Sequence, residues 1–406
     1  VSDIVHPGGE YELLQFIEQA AAAGTTLEIG GRGSKRDVGR PVQAETVVST
    51  ASMSGITLYE PNELVISARA GTPVHMVEAT LARNKQQLAF EPIDLGPVMG
   101  EPESQGSIGA VFASNLSGSR RILAGSARDH FLGVRAINGK GELFKSGGRV
   151  LKNVTGYDLT RGITGSWGTL AVMSEVTMKV LPAAEAVATL VFEGLTDDVA
   201  IEAMCEAMAT PFEVSGTLHL QGELVPAMAM DELGKRGQAV TAVRLETYAD
   251  SIDERVRKLS RAIAEFGEPK ILNDVEARLF WTSARKLQFL QGTAGSLWRI
   301  SVSPRNGARL VAAITRRLNC RAAYDWSGGL VWLIVDSGRD AGATEVRRCV
   351  GEIGGHAMLI RAEPAIRSAI DVFQTLDSGT ARLAAGIKSA FDPEGILNPG
   401  RMYANL

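Results

Sequence analysis

The chain has 406 residues, 45% of them apolar and 22% charged, with a formal net charge of −4. That composition suits a globular chain long enough for two domains. Its slight acidity argues against a nucleic acid or an anionic membrane surface as the main partner. No apolar run approaches the ~20 residues of a membrane span, and no signal-like segment precedes the first helix-like stretch.

The N-terminal part alternates helix and strand. Tyr11 to Ala23 places Leu13, Leu14, Ile17, Ala20 and Ala21 at helical spacing and stops at Gly24. Thr26 to Ile29 reads as a short strand leading into the loop GGRGSKRDVGRP, and Leu64 to Ala70 as another strand. Thr72-Pro73 then predicts a capped helix through Arg83 with proline at its first position. Leu88 to Phe90 is expected to be a strand entering a glycine-rich region that holds 15 of the chain's 44 glycines between Gly96 and Gly168. Apolar runs such as Phe131 to Ile137 and Thr169 to Val172 make that region a folded bed rather than a flexible spacer. After Pro182 a β-α-β-β-α-β rhythm runs roughly twice, predicting an antiparallel sheet with helices on one face. From about residue 363 the chain is helical again and ends FDPEGILNPGRMYANL.

Cys205, Cys320 and Cys349 are scattered and form no CxxC, so neither an iron–sulfur cluster nor a zinc finger is expected, and the count fits a reducing cytoplasm. The five histidines form no HExxH and no serine sits in GxSxG, which argues against a metallohydrolase and a hydrolase elbow.

Three blocks carry chemistry. GGRGSK (30–35) follows a strand and offers backbone N–H groups with Arg32 and Lys35, which suits a pyrophosphate, although a plain tight turn fits too. It is neither a Walker A loop nor the dinucleotide fingerprint, because Arg36 stands where the third glycine belongs. GSIGAVFASNLSG (106–118) leaves no bulk at eight positions, reading as close approach to a ligand or as helix packing. KNVTGYDL (152–159) with GSWGTLAV (165–172) adds Lys152 and Asp158, whose bland readings are a surface lysine and a helix cap.

In this order and spacing the blocks resemble the vanillyl-alcohol-oxidase, or PCMH-type, FAD-binding family, from the N-terminus to about Pro182 and again at FDPEGILNPGRMY. Over nearly the whole chain the strings GRGSK, ELVISARAGTP, KNVTGYDL, SLWRIS, YDWSGGL, GGHA and NPGRMYANL resemble the FAD-binding E subunits of bacterial glycolate oxidase. The resemblance implies an α+β protein: a two-subdomain PCMH-type FAD domain (1–184), an inserted ferredoxin-like antiparallel α+β cap (185–362), and a C-terminal segment (363–406) returning to the FAD domain.

It also implies a bed for FAD. Gly30, Gly31, Arg32, Gly33, Ser34 and Lys35 would wrap the pyrophosphate, and Pro92, Leu95 and Gly96 would line the flavin side. Gly106, Ser107, Ile108, Gly109 and Ala110 would hold diphosphate and ribose, continued by Ser114, Asn115, Gly118, Gly125 and Ser126. Gly168, Thr169, Leu170 and Val172 would meet the adenine side, and Asn398 would reach toward the isoalloxazine. Some members tether flavin through His or Cys in these loops; here the loops offer only His130, so FAD is expected to be non-covalent.

Relatives that dehydrogenate D-2-hydroxy acids carry HxxxxxxH and a later Glu-His in the cap, holding a metal that orients substrate while hydride leaves for the flavin. Those positions fall on Tyr324, Val331 and Gly355 here, so no metal site is expected. Arg285, Arg299, Trp326 and His356 are the catalytic candidates left in the cap, each with a bland alternative: an ion pair for Arg299, a core turn for Trp326, a satisfied buried residue for His356. The resemblance implies an FAD-dependent oxidoreductase subunit of a complex that oxidises glycolate to glyoxylate. Its expected partners are a second FAD subunit and an iron–sulfur subunit, and nucleic acid is not among them. Such a complex would be cytoplasmic, or sit at the inner membrane face through its partners. Two other readings stand beside it: a stand-alone FAD oxidoreductase of a 2-hydroxy acid or alcohol, with only His356 or Tyr324 to act as base, and a non-catalytic scaffold stabilised by FAD.

Overall fold

The computed structural model describes residues 3–101, 106–149, 157–228, 230, 233–234, 237–336 and 338–406. The chain forms two compact units: residues 1–117, 125–183 and 371–406 make the first, and 118–124 with 184–370 the second. Relative to the expected boundaries, residues 118–124 pack with the second unit, and that unit runs to Ile370 rather than stopping at 362.

The first unit begins with strand β1 (Asp3–Val5) and helix α1 (Glu10–Ala23). Leu13, Ile17 and Ala20 recur on one face of α1 and are buried. Gly24 ends it with φ 70°, donating its N–H to Ala20 and Ala21 carbonyls, a turn that L side chains resist. Strands β2 (Leu27–Gly30) and β3 (Thr46–Ser49) join β1 in a parallel sheet of order β1-β3-β2. An antiparallel sheet follows, of order β4-β5-β9-β7-β8, built from β4 (Ile56–Glu60), β5 (Val65–Arg69), β7 (Phe131–Asn138), β8 (Leu143–Gly147) and β9 (Ala171–Lys179). Leu13, Ile17, Leu27, Val48, Ile137, Val172, Ile396 and Leu397 share one core, which ties the C-terminal segment to both sheets.

Two local expectations change. Leu88 to Phe90 is buried but forms no strand; the short strand is β6 (Gln86–Gln87), paired with β10 (Leu181–Pro182). Helix α2 (Val74–Ala82) takes Pro73 as its N-cap rather than its first residue. Thr72 does not cap it, because its hydroxyl donates to the Arg69 carbonyl at 2.6 Å and accepts the Gly55 N–H at 2.9 Å.

The second unit is one eight-stranded antiparallel sheet. Its strands are β11 (Ala186–Glu193), β12 (Val214–Leu220), β13 (Val240–Thr247), β14 (Lys270–Leu272), β15 (Ser296–Ser301), β16 (Cys320–Asp325), β17 (Leu330–Val335) and β18 (His356–Arg361). Their order, β14-β11-β13-β12-β16-β17-β15-β18, is two β-α-β-β-α-β halves joined edge to edge where β12 pairs β16. Leu190, Phe192, Val243 and Leu245 alternate along β11 and β13 and pack on Ala207 and Leu259 of the helices and on Ile263 just past one of them. Among the described residues no helix is long and apolar enough to cross a membrane.

Candidate functional site

An open cleft of about 400 Å³ lies in the first unit. The loop leaving β2 forms one wall, and its six residues Gly30 to Lys35 all line it. Gly30 and Gly33 would have no heavy atom within 4 Å of an added Cβ, so their backbone opens onto space. Gly31 is different: a Cβ there would sit 2.2 Å from the Ser107 Oγ, so this glycine lets the first loop rest on the second. Arg32 is exposed at the rim, while Ser34 and Lys35 are buried.

Helix α3 (Ile108–Ser114) brings Ser107, Gly109 and Ala110 to the cleft. The Ile108 and Gly109 N–H groups donate to the Thr72 and Ala70 carbonyls, at 2.9 and 2.8 Å, so neither is available to a phosphate. A Cβ on Gly109 would lie 2.8 Å from the Ala70 Cβ, so packing alone requires this glycine. The Ser107 hydroxyl, by contrast, is buried with no hydrogen-bond partner among the described residues.

Gly168 and Val172 form the far side with Trp167, and Arg401 comes in from the C-terminal segment. Arg401 donates to the Lys35 carbonyl at 2.8 Å, and its guanidinium carbon lies 5.6 Å from the centre of the Trp167 ring. Thr50, Trp167 and Arg401 were not singled out from sequence. The only local signals were Trp167 inside GSWG, where it takes φ 54°, and Arg401 inside NPGR.

The remaining expected residues do not line the cleft. Asn398 is fully buried: its Oδ1 accepts the Ile29 N–H at 2.8 Å and its Nδ2 donates to the Trp167 carbonyl at 2.8 Å. With both ends of its amide committed to backbone, it staples β2 to the Trp167 turn instead of reaching a ligand. Thr169 accepts the Lys388 ammonium on its carbonyl at 2.8 Å, and its neighbour Leu170 is half-buried. Pro92 bridges Ser117, and Leu95 and Gly96 are buried beside it. The Gly106 carbonyl accepts the Val74 N–H at 3.0 Å. Ser114 returns its hydroxyl to the Ala110 carbonyl at 2.8 Å, and the Asn115 Oδ1 accepts the Arg128 N–H at 3.1 Å. Gly125 turns with φ 85°, and Ser126 donates its N–H and hydroxyl to Asp129, each at 2.8 Å. Gly118 belongs to the second unit, where its carbonyl accepts the Trp326 Nε1–H at 3.0 Å. Asp158 caps a short helix by accepting the Arg161 N–H at 3.1 Å, and Lys152 lies outside the described residues. His130 is buried against Phe90.

In the second unit, Trp326 is a buried turn residue with the Arg121 and Arg299 guanidinium carbons 4.8 and 5.1 Å from its ring centre. Burial, with the Arg121 charge adding to it, pushes Arg299 down to about 10. Among the described residues Arg299 forms no ion pair, although the Asp325 charge acts on it, and its Nε is buried without a hydrogen-bond partner. His356 is exposed at the start of β18, which corrects the expectation of a buried residue. Arg285 is half-buried at the end of the helix Asp274–Arg285.

The unpartnered Ser107 hydroxyl, the buried Lys35 and the open Gly30 and Gly33 backbone fit an elongated anionic cofactor such as FAD. Comparison with known proteins agrees. The family described as FAD binding domain matches residues 2–147. Glycolate oxidase subunit GlcE of Escherichia coli (strain K12) is 34% identical, covering 97% of each chain. The D-lactate dehydrogenase of Anaerostipes hadrus is 25% identical over 89% of this chain and 80% of its own. The fold matches that of 4-ethylphenol oxidase from Gulosibacter chungangensis with TM-score 0.74, at 14% identity over 99% of this chain and 89% of that one. The chain belongs to the vanillyl-alcohol-oxidase or PCMH-type family of FAD-dependent oxidoreductases, as a homologue of a glycolate oxidase subunit.

Proposed function

We propose that this chain is an FAD-binding, electron-handling subunit of a complex that oxidises glycolate to glyoxylate, and that substrate is oxidised on a second flavin subunit. The carrying observation is what stands at the three positions where metal-dependent relatives need ligands. Tyr324 is fully buried and its hydroxyl donates to Asp197 at 2.5 Å. Burial and the Asp197 charge hold that phenol well above its usual range, so it is no base near neutral pH. Val331 is fully buried, and Gly355 has φ 147° with the Ser301 carbonyl 2.5 Å from where a Cβ would be. His356 stands exposed.

Bound FAD would supply a two-electron acceptor. Gly30 to Lys35 and Ser107 would hold it non-covalently, with Arg401 and Trp167 closing the cleft and Asn398 fixing the backbone beneath. The partners in this reading are a second FAD subunit and an iron–sulfur subunit, in the cytoplasm or at the inner membrane face through those partners. The similarity to GlcE over 97% of both chains supports it. The test is co-expression with the two candidate partner subunits. We expect all three to co-purify with flavin, and glycolate-dependent dye reduction to require this chain. Full activity of the other two subunits without it would overturn the reading.

A further inference from the structure

We propose that Lys35 makes cofactor loading proton-coupled: its ammonium is the counter-charge to the FAD diphosphate, and loading takes up a proton at alkaline pH. This rests on the cleft being the FAD site. Lys35 is 7% exposed and lines the cleft. Its amino group and the Ser34 hydroxyl converge over Gly106, 3.8 and 3.6 Å from the point a Cβ would occupy. Among the described residues that amino group makes no hydrogen bond or ion pair. A buried ammonium without a partner is costly unless an anion completes it.

The neighbouring charges are otherwise engaged or distant. Arg36 is bidentate to Glu28, at 2.6 and 2.7 Å. Arg401 donates to the Ile29 and Lys35 carbonyls. Arg32 is exposed, His6 lines the cleft from the segment after β1, and Asp94 acts on Lys35 through space. Burial pushes the ammonium down to about 8, with Asp94 pulling it part of the way back. A diphosphate placed beside it would raise it again.

The sign follows from linkage. Below pH 8 Lys35 is charged with and without cofactor, so it contributes no pH dependence. Above pH 8 the free protein loses the charge and the loaded protein keeps it. Affinity then falls by about tenfold per pH unit, and up to one proton is taken up on loading.

The experiment is calorimetric titration of the apoprotein with FAD and, separately, with ADP. It is run between pH 7 and 10 in buffers of different ionisation heat, with flavin fluorescence as a second readout. For the wild type we expect proton uptake with both ligands above pH 8. Lys35→Arg should keep the neutral-pH affinity and lose the pH dependence. Lys35→Met should bind about ten- to a hundredfold more weakly with a flat profile. A His6→Gln control should behave as wild type above pH 8. FAD loading without proton uptake, or wild-type affinity in Lys35→Met, would overturn the proposal. Uptake with FAD but not with ADP would overturn the diphosphate as the anion. Failure to load FAD at any pH would overturn the cofactor reading beneath it.

Discussion

Lys35 in the first unit and Arg244 in the second are both buried cations, 7% and 1% exposed, and the chain treats them differently. Arg244 is answered on every side: its Nε donates to the Ser215 hydroxyl at 3.0 Å, Glu246 lies 3.4 Å away, and its guanidinium carbon is 4.3 Å from the centre of the Trp281 ring. Arg120 adds a second, bidentate pair to Glu246. Among the described residues the Lys35 ammonium has no hydrogen bond or ion pair, and only the Asp94 charge acts on it through space. A closed network of this kind specifies a fold, whereas a buried charge left open to a cleft specifies a ligand.

That contrast can be broken by neutralising one group of each kind. Glu246→Gln leaves Arg120 and Arg244 without their carboxylate and is expected to cost ~3–5 kcal/mol in chemical denaturation. A loss under ~1 kcal/mol would show that the network is solvated. Burial pushes the Glu246 carboxyl up, but the Arg244 charge and the hydrogen bond and charge of Arg120 outweigh it and hold the carboxyl far below the usual range. Its stabilisation is therefore present above pH ~4.3 and lost as pH falls below that. Thermal scans should show a steeper acid limb in the wild type than in Glu246→Gln. Equal limbs would remove Glu246 as the cause.

Asn398→Ala sharpens the contrast from the cleft side, because it strips the hydrogen bonds to Ile29 and Trp167. We expect ~1–3 kcal/mol of lost stability together with weaker FAD retention on gel filtration. Lost stability with unchanged retention would separate the staple from the cleft. Tyr324→Phe is expected to cost ~1 kcal/mol and to leave flavin reduction in the assembled complex unchanged. A large fall in that rate would make Tyr324 a participant. Smallest of all, Lys35→Met should shift apoprotein stability by no more than ~1 kcal/mol, since no internal partner is orphaned. A large loss would mean the chain does answer that charge.

Local patterns made much of this legible. Leu13, Ile17, Ala20 and Gly24 announced α1, and the doubled β-α-β-β-α-β rhythm announced the second unit's sheet. GGRGSK announced one wall of the cleft because consecutive residues line it. What stayed hidden depended on distance in sequence. Residues 118–124 read as a continuation of the glycine-rich loop, yet Arg120 pairs with Glu246, 126 positions away, and Ser119 donates to Asp325 at 2.7 Å. Arg401 meets Lys35 across 366 positions. Gly109 lines the cleft, as a ligand contact would, and its lack of a side chain also serves packing against Ala70. Asn398 looked like a flavin contact, but its amide is consumed by backbone. Small and polar residues carry the same letters in either role, and only the folded chain shows which groups have been used.

In the proposed reading this chain holds FAD but does not itself oxidise the hydroxy acid. Anaerobic mixing of the FAD-loaded chain with glycolate, following flavin absorbance, tests it most directly. The flavin is expected to stay oxidised in the isolated chain and to bleach once the partner subunits are added. Bleaching of the isolated chain at a catalytic rate would contradict it.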